Sequence, residues 1–162
     1  MNAPTFDERR RLASVVFDRE SLGETTEEQE SERAIAVHDL LEENEFSLPG
    51  RDDGPYALLL SMHQSKLAFD VRRVDGEPVA AHLLSLTPFR TTLRDYFSTC
   101  ETYFAAIRVA QPDQIEAIDE MRRQIHNDGA KLLIQRLDGK IDMDFETARR
   151  LFTVITALKW RG

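Results

Sequence analysis

Apolar residues follow two different spacings along this 162-residue chain, and the two spacings occur in a definite order. One strand-like stretch and one helical stretch come first. Three consecutive strand-like stretches then follow, and every later stretch repeats its apolar residues at helical spacing. A block of strands followed by a block of helices is typical of an α+β fold and argues against a doubly wound parallel sheet. The strand-like stretches are residues 12–17, 56–62, 66–74 and 79–86.

We therefore predict an α+β fold with the order β-α-β-β-β-α-α-α. Its core would be a mostly antiparallel four-stranded sheet packed on one face by helices. Asp75-Gly76 predicts a hairpin between the last two strands, because both residues tolerate positive φ. The place of the first strand in the sheet stays open. We expect residues 1–11 to form a flexible N-terminal arm and residues 12–162 to form a single domain of ordinary size.

Capping signals mark where the helices begin. Thr25 and Thr26 open the first helix with the spacing of a capping box, and residues 20–24 before it are expected to be a polar connection. Thr87 followed by Pro88 predicts an N-cap and a first helical residue. A further helix starts near Asp113, and the sequence leaves open whether residues 126–129 break it. Asp144 is expected to cap the last helix.

The charge distribution restricts the classes of partner. The net charge is −8, and residues 1–81 carry all of the acidic excess. Such a surface repels polyanions, so we expect neither nucleic acid nor an anionic membrane as a partner. No apolar run approaches the ~18 residues that a membrane-spanning helix requires. Cys100 is the single cysteine, which excludes an intrachain disulfide and is typical of a cytoplasmic protein.

The strongest candidate site lies on the helix that begins near residue 113. Asp119, Arg122 and His126 fall within one narrow sector of that helix, at the edge of its apolar face, and Asn127 follows directly. A guanidinium, an imidazole and a carboxylate at such an edge can bind an anion or move a proton. The alternative is an ion-pair ladder, Asp119 with Arg122 and Arg123, that only stabilises the helix.

Two further places are candidates for anion binding. Thr87 and Arg90 stand at a predicted helix N-terminus, where backbone N–H groups favour an anion, although simple capping by Thr87 is the alternative. Arg149, Arg150 and Arg161 form either a solvated surface or a small phosphate-binding patch.

Other reactive residue types have simpler interpretations. Cys100 lies on the apolar stripe of its helix, which favours a buried and inert thiol. His82 shares a face with the core residues if the hairpin loop has two or four residues, and faces outward if the loop has three. The four histidines stand far apart and no metal-ligand spacing or phosphate-binding loop occurs. We therefore predict no metal site and no cofactor.

The whole chain resembles a small alphaproteobacterial protein family of about this length that has no assigned function. Two positions differ from the family pattern: Asp128 replaces a glutamate and Lys159 replaces a histidine. The resemblance implies a bacterial protein and brings no catalytic residues with it. The matching segments are residues 32–34, 39–44, 84–88, 94–97, 115–119, 122–129, 139–141, 147–153 and 160–162.

These observations leave three hypotheses about function. The first is a non-enzymatic binding or regulatory module for a protein or a small anionic ligand, favoured by the absence of a catalytic signature. The second is a small hydrolase-like enzyme with His126 as general base and Arg122 as the anion-binding group. The third, compatible with either, is a homodimer formed through the broad apolar arc of the last helix.

Overall fold

The computed structural model describes residues 7–162 and places them in an α+β fold. Residues 1–6 of the predicted N-terminal arm lie outside the described residues. No helix in the described part of the chain is both long and apolar enough to cross a membrane. The strands are β1 (Leu12–Phe17), β2 (Phe46–Ser47), β3 (Tyr56–His63), β4 (Lys66–Arg73), β5 (Pro78–Ser85) and β6 (Asp142–Met143). The helices are α1 (Arg19–Leu22), α2 (Glu27–Glu42), α3 (Arg90–Ala106), α4 (Pro112–Arg136) and α5 (Phe145–Thr156).

The main sheet has four strands in the order β1-β3-β4-β5. The β3–β4 and β4–β5 pairs are antiparallel, which confirms the mostly antiparallel sheet. The first strand, whose place the sequence left open, lies at one edge and runs parallel to β3, with Leu12 beside Tyr56. A parallel neighbour needs a crossover connection, and α2 lies within that connection. The two-residue strands β2 and β6 form a separate antiparallel pair that the sequence pattern did not indicate.

The hairpin between β4 and β5 determines where His82 points. Arg73 N donates to Glu77 O at 2.9 Å, so three residues form the loop, which alone would turn His82 outward. However, an extra residue in β5, Val79, shifts the register by one and forms a bulge. His82 therefore pairs with Phe69 on the core face, where it is half-buried.

Helix starts follow the capping signals with one exception. Thr26 and Gln29 form the capping box of α2, and Asp144 accepts a hydrogen bond from Thr147 N at the start of α5. Thr87 was predicted to cap α3, and this prediction is wrong. The backbone of Leu86 is already helical, so Thr87 lies inside a 3-10 turn (Thr87–Phe89) instead of occupying the extended N-cap conformation.

One segment differs from the sequence expectation, one settles a question that the sequence left open, and one belongs to the predicted N-terminal arm. The predicted polar connection at residues 20–24 contains α1, which begins after Asp18, the residue that caps it. Helix α4 continues without a break through Gly129. In the described part of the predicted N-terminal arm, Arg9 O accepts from Gly54 N at 3.1 Å, and Arg11 O accepts from Tyr56 N at 2.9 Å.

The hydrophobic core lies between one face of the sheet and the helices. Helix α5 is at its centre, where its apolar residues pack against α2, α4 and the sheet. The apolar arc of α5 that suggested a homodimer is therefore covered by the protein itself. Its members are Leu151, Phe152, Val154, Ile155 and Leu158, all of them buried.

Candidate functional site

Asp119, Arg122 and His126 lie on one side of α4, as the sequence predicted, but they do not act as one group. The Asp119 carboxylate pairs with Arg122 and also with Arg123, whose Nε is 3.3 Å away. The Arg122 guanidinium also stacks on the Tyr103 ring of α3, with 4.6 Å between Cζ and the ring centroid. Asp119 and Arg122 thus form the ion-pair ladder, and one face of Arg122 is occupied by an aromatic ring.

His126 points between α3 and α5. Its Nε2 is 2.8 Å from the Thr153 hydroxyl oxygen, and its ring centroid is 5.3 Å from that of Phe152 and 5.6 Å from that of Tyr96. Its Nδ1 is buried and forms no hydrogen bond within residues 7–162. Burial, and then the nearby positive charges of Arg149 and Arg122, lower the pKa of His126 to about 4. The imidazole is therefore neutral at pH 7 and a weak base.

Of the remaining predicted site residues, Arg149 lies near His126, and the others are not brought together with it. Arg90 is exposed and stacks on Trp160 at 5.8 Å, and Thr87 is exposed at the preceding turn. Asn127 is half-buried, and its Oδ1 accepts no hydrogen bond within the described residues. Arg149 pairs with Glu146 at 3.3 Å, and Arg150 donates to Glu43 O at 2.8 Å. Arg90 with Thr87, and Arg150, therefore belong to other parts of the surface.

Arg122 does line a groove that the sequence pattern did not reveal. This helical groove has a volume of about 710 Å³ and is formed by α2, α3, α4, α5 and the residues after α5. Its volume lies within the roughly 300–1,000 Å³ range of small-molecule pockets. Four other depressions lined by described residues are smaller, at about 180 to 520 Å³. The residues that matter for its chemistry are Glu32, Tyr96, Phe97, Arg122, Lys159 and Arg161.

Two cations in the helical groove share one aromatic ring. The Arg161 guanidinium carbon is 4.9 Å from the centroid of Phe97, and the Lys159 Nζ is 5.4 Å from it. Lys159 also pairs with Glu32 across the groove, at 3.1 Å. No carboxylate in residues 7–162 lies within salt-bridge distance of Arg161. Arg161 therefore keeps a charge that a ligand can use.

Tyr96 and Cys100, one turn apart on α3, also line the helical groove. Burial is the main cause that raises the pKa of the Tyr96 hydroxyl, and the adjacent Cys100 thiol adds to it. Burial likewise raises the pKa of the Cys100 thiol. Both groups therefore stay protonated at neutral pH, and Cys100 is a poor nucleophile. The inert thiol predicted from the sequence agrees with this arrangement, although Cys100 is half-buried and not fully enclosed.

Acidic side chains also line the helical groove. Glu28 and Glu32 come from α2 and Glu101 comes from α3. Their presence limits the total positive charge of the groove, so the favourable position for an anion is beside Arg161, because Arg122 is already paired with Asp119. Among residues 7–162 no group of three or more histidine, cysteine, aspartate or glutamate side chains is placed to hold a metal ion.

Most of this site could not be predicted from the sequence, because the groove combines four helices and the segment after α5. Arg122 was a predicted site residue, and Arg161 was considered only as part of a surface patch. One signal was available: Lys159, Trp160 and Arg161 place two cations around an aromatic residue directly after an apolar helix.

Comparison with known proteins identifies the family. The family model for an uncharacterised protein family, UPF0262, matches residues 9–161. The chain belongs to the UPF0262 family. A UPF0262 protein of Methylobacterium radiotolerans is 57% identical over 152 residues, which cover 94% of each chain. One from Nitrobacter winogradskyi is 51% identical over 156 residues, covering 96% of this chain and 93% of the relative.

A third UPF0262 protein, from Rhodopseudomonas palustris strain BisB5, is 52% identical over 156 residues, or 96% of each chain. These relatives are alphaproteobacterial proteins, which confirms the resemblance noted in the sequence. No solved structure matches the chain.

Proposed function

We propose that this UPF0262 protein is a non-enzymatic binding module, and that its helical groove takes a small ligand with a carboxylate or phosphate group. The observation that carries the proposal is the stacking of Arg161 and Lys159 on Phe97, with Arg122 lining the same groove. An arginine that is held by an aromatic ring and has no carboxylate partner can form a bidentate pair with an incoming anion.

The groove also supports a ligand that has an apolar part next to its anionic group. Phe97 and Tyr96 offer aromatic surface, and Phe104 at the rim is 65% exposed. An apolar portion that covered these rings would be removed from water, while the anionic group stayed beside Arg161. A cytoplasmic small molecule fits this proposal, because the single half-buried cysteine is typical of a protein in a reducing compartment.

The hydrolase-like hypothesis has less support from this arrangement. Its general base, His126, has a pKa of about 4 and is not among the residues that line the helical groove. A general base acts best when its pKa is near the working pH, and this imidazole accepts a proton only in acid. Thr153, which is hydrogen-bonded to His126, does line the groove, so His126 supports the wall and does not face the ligand.

A thermal-shift panel of phosphorylated metabolites, nucleotides and dicarboxylates tests the binding proposal. A ligand at about 100 times its dissociation constant stabilises the native state by about 2.7 kcal/mol. For a domain of this size we expect the midpoint of unfolding to rise by roughly 5–10 °C. The same ligand should produce a much smaller shift with Arg161→Ala, and an intermediate one with Arg161→Lys, which retains the charge but loses the bidentate geometry.

Arg108→Ala is the matched control, because Arg108 is exposed and does not line the groove. It should respond to the ligand as the wild type does. The proposal is wrong if no compound in the panel shifts the midpoint, or if Arg161→Ala and Arg122→Ala both keep the full shift. The first of these outcomes would favour a protein as the ligand.

A further inference from the structure

The main sheet leaves one of its faces uncovered by the core. The helices pack on the face that carries Leu58 and Phe69. The opposite face, called here the open face, presents the alternate residues of the four strands. Val16 and Leu83 on this face are 56% and 53% exposed. The open face consists of Ser14, Val16, Ala57, Leu59, Ser61, His63, Lys66, Ala68, Asp70, Arg72, Pro78, Ala81, Leu83 and Ser85.

The composition of the open face is unusual for a surface in contact with water. An antiparallel sheet with one solvated face normally alternates apolar residues inward and polar residues outward. Here three alanines, two leucines and a valine occupy outward positions, and the charges come from Asp70 and Arg72 near the middle of β4 and from Lys66 at its start. Exposed apolar side chains on a sheet face mark an interaction site, and Val16 and Leu83 supply them at the two edges of this face.

The charged pair indicates what covers the open face. Arg72 Nη2 donates to Asp70 Oδ2 at 3.0 Å, and both residues lie on β4 with one residue between them. A two-fold axis across β4, parallel to the sheet, reverses the strand direction in the second copy. It places Asp70 of each copy opposite Arg72 of the other, so the pattern is complementary to itself. Face-to-face sheets lie about 10 Å apart, a gap that arginine and aspartate side chains can bridge together.

The area of the open face agrees with a weak dimer. Four strands spaced about 4.8 Å apart, each rising about 3.3 Å per residue over about eight residues, cover about 500 Å². Two such faces bury about 1,000 Å² in total, which is at the lower limit for a specific interface. The expected dimer therefore depends on protein concentration.

We propose that the protein forms a homodimer by packing the open faces of two copies together, with the Asp70 and Arg72 pairs exchanged across the two-fold axis. This proposal does not depend on the helical groove, which lies on the helical side of the sheet. It uses a different surface from the homodimer hypothesis based on the sequence, because the apolar arc of α5 is buried in the core.

Sedimentation velocity of the ligand-free protein, from micromolar to near-millimolar concentration, tests the proposal. The wild type should shift from the 18.6 kDa monomer toward twice that mass. Asp70→Arg places four positive charges at the centre of the interface, and Arg72→Asp places four negative ones there. Each variant alone should stay monomeric over the same range.

Charge exchange provides the decisive controls. An equimolar mixture of the Asp70→Arg chain and the Arg72→Asp chain has complementary faces and should associate. The double variant Asp70→Arg/Arg72→Asp is again complementary to itself and should recover the wild-type dimer. Because the mixture contains both single variants, its association into a dimer also shows that these variants are folded. Arg136→Asp, a charge reversal at an exposed position of α4, should not change the dimer.

Two results would overturn the proposal. One is a wild type that stays monomeric up to near-millimolar concentration, which would assign the open face to a different partner. The other is a wild-type dimer that persists unchanged in Asp70→Arg and in Leu83→Lys, which would place the dimer interface elsewhere.

Discussion

His126 is the residue whose environment departs most from the sequence-based expectation. A histidine at the polar edge of a helix was a candidate for proton transfer. In the structure the same imidazole contacts two aromatic rings and a threonine hydroxyl between α3, α4 and α5. Because helical spacing reports only the direction of a side chain from its own helix, it does not reveal what neighbouring helices place over that side chain.

The low pKa of His126 makes the protein less stable in acid. The pKa of His126 in the native state is about 4 and that of an unperturbed histidine is 6.5. Between these values the unfolded chain binds a proton that the native state does not, so the free energy of unfolding falls as the pH falls. Because His126 is only partly buried, solvent screening reduces the effect of its lowered pKa. We expect this residue to lower the free energy of unfolding by about 2 kcal/mol between pH 7 and pH 4.

Urea unfolding of the wild type and His126→Gln at pH 7 and near pH 4 measures this contribution. Glutamine can still hydrogen-bond to Thr153 and does not titrate, so the variant should lose less stability in acid than the wild type. Gln124→Ala, at an exposed position of α4, should show the wild-type pH dependence. Equal acid sensitivity of His126→Gln and the wild type would contradict the expectation.

The close approach of Phe152 explains why a glycine, Gly129, is present in the middle of α4. A Cβ built at this position would lie 2.5 Å from both Cε1 and Cε2 of Phe152, a ring in the centre of the core. Helix propensity alone predicts that Gly129→Ala stabilises the helix by about 1 kcal/mol. We expect the opposite sign, a destabilisation of about 1–3 kcal/mol, because the overpacked ring has to move.

Chemical denaturation of Gly129→Ala, Phe152→Leu and the double variant tests this close approach. A smaller side chain at residue 152 should relieve the clash, so the double variant should be more stable than the sum of the two single effects predicts. Additive effects, or a more stable Gly129→Ala protein, would exclude overpacking as the role of this glycine.

At the scale of single elements, the backbone just after α5 has a strained conformation. Lys159 follows the helix with φ of 58°, a left-handed conformation that favours glycine. Its Nζ pairs with Glu32 in the helical groove, so the strained backbone directs this cation into the groove. Lys159→Gly and Lys159→Ala both remove the lysine side chain. The two variants therefore differ mainly in how easily the backbone at residue 159 adopts positive φ.

We expect Lys159→Gly to be more stable than Lys159→Ala by about 1 kcal/mol, since only glycine adopts this conformation without a steric cost. The free energy of unfolding in urea gives the difference directly. As a control, the same two substitutions at Lys131, an exposed residue within α4, should have the reverse order, because glycine weakens a helix interior. Equal stability of the two Lys159 variants would argue against strain at this position.

Local sequence patterns predicted most elements because each pattern has a local physical cause. The alternation in β4 and the capping box of α2 are examples, and the boundaries of these elements differ from the predictions by at most a few residues. The capping prediction for Thr87 was wrong because the conformation of Leu86 decides it, and that conformation depends on how β5 ends. The pair β2–β6 joins segments almost one hundred residues apart, which no local pattern reports.

At the scale of the whole molecule, the fold class was predictable and the arrangement of the site was not. A block of strands before a block of helices indicated the α+β class. The parallel pairing of β1 with β3 depends on the crossover through α2, and no residue type in β1 specifies it. The helical groove similarly exists only where α2, α3, α4 and α5 meet. Arg122 was identifiable on its own helix, whereas its relation to Arg161 is a tertiary property.

The mixed sheet also has a consequence for how the chain reaches its native state. Strands β3, β4 and β5 are joined by short turns, so closing their hairpins costs little chain entropy. Joining β1 to β3 requires the chain from Leu12 to Tyr56 to close a long loop that includes α2. Such non-local pairing slows folding. Until β1 docks, the free edge of β3 can pair with another chain, so crowded refolding conditions favour aggregation through that edge.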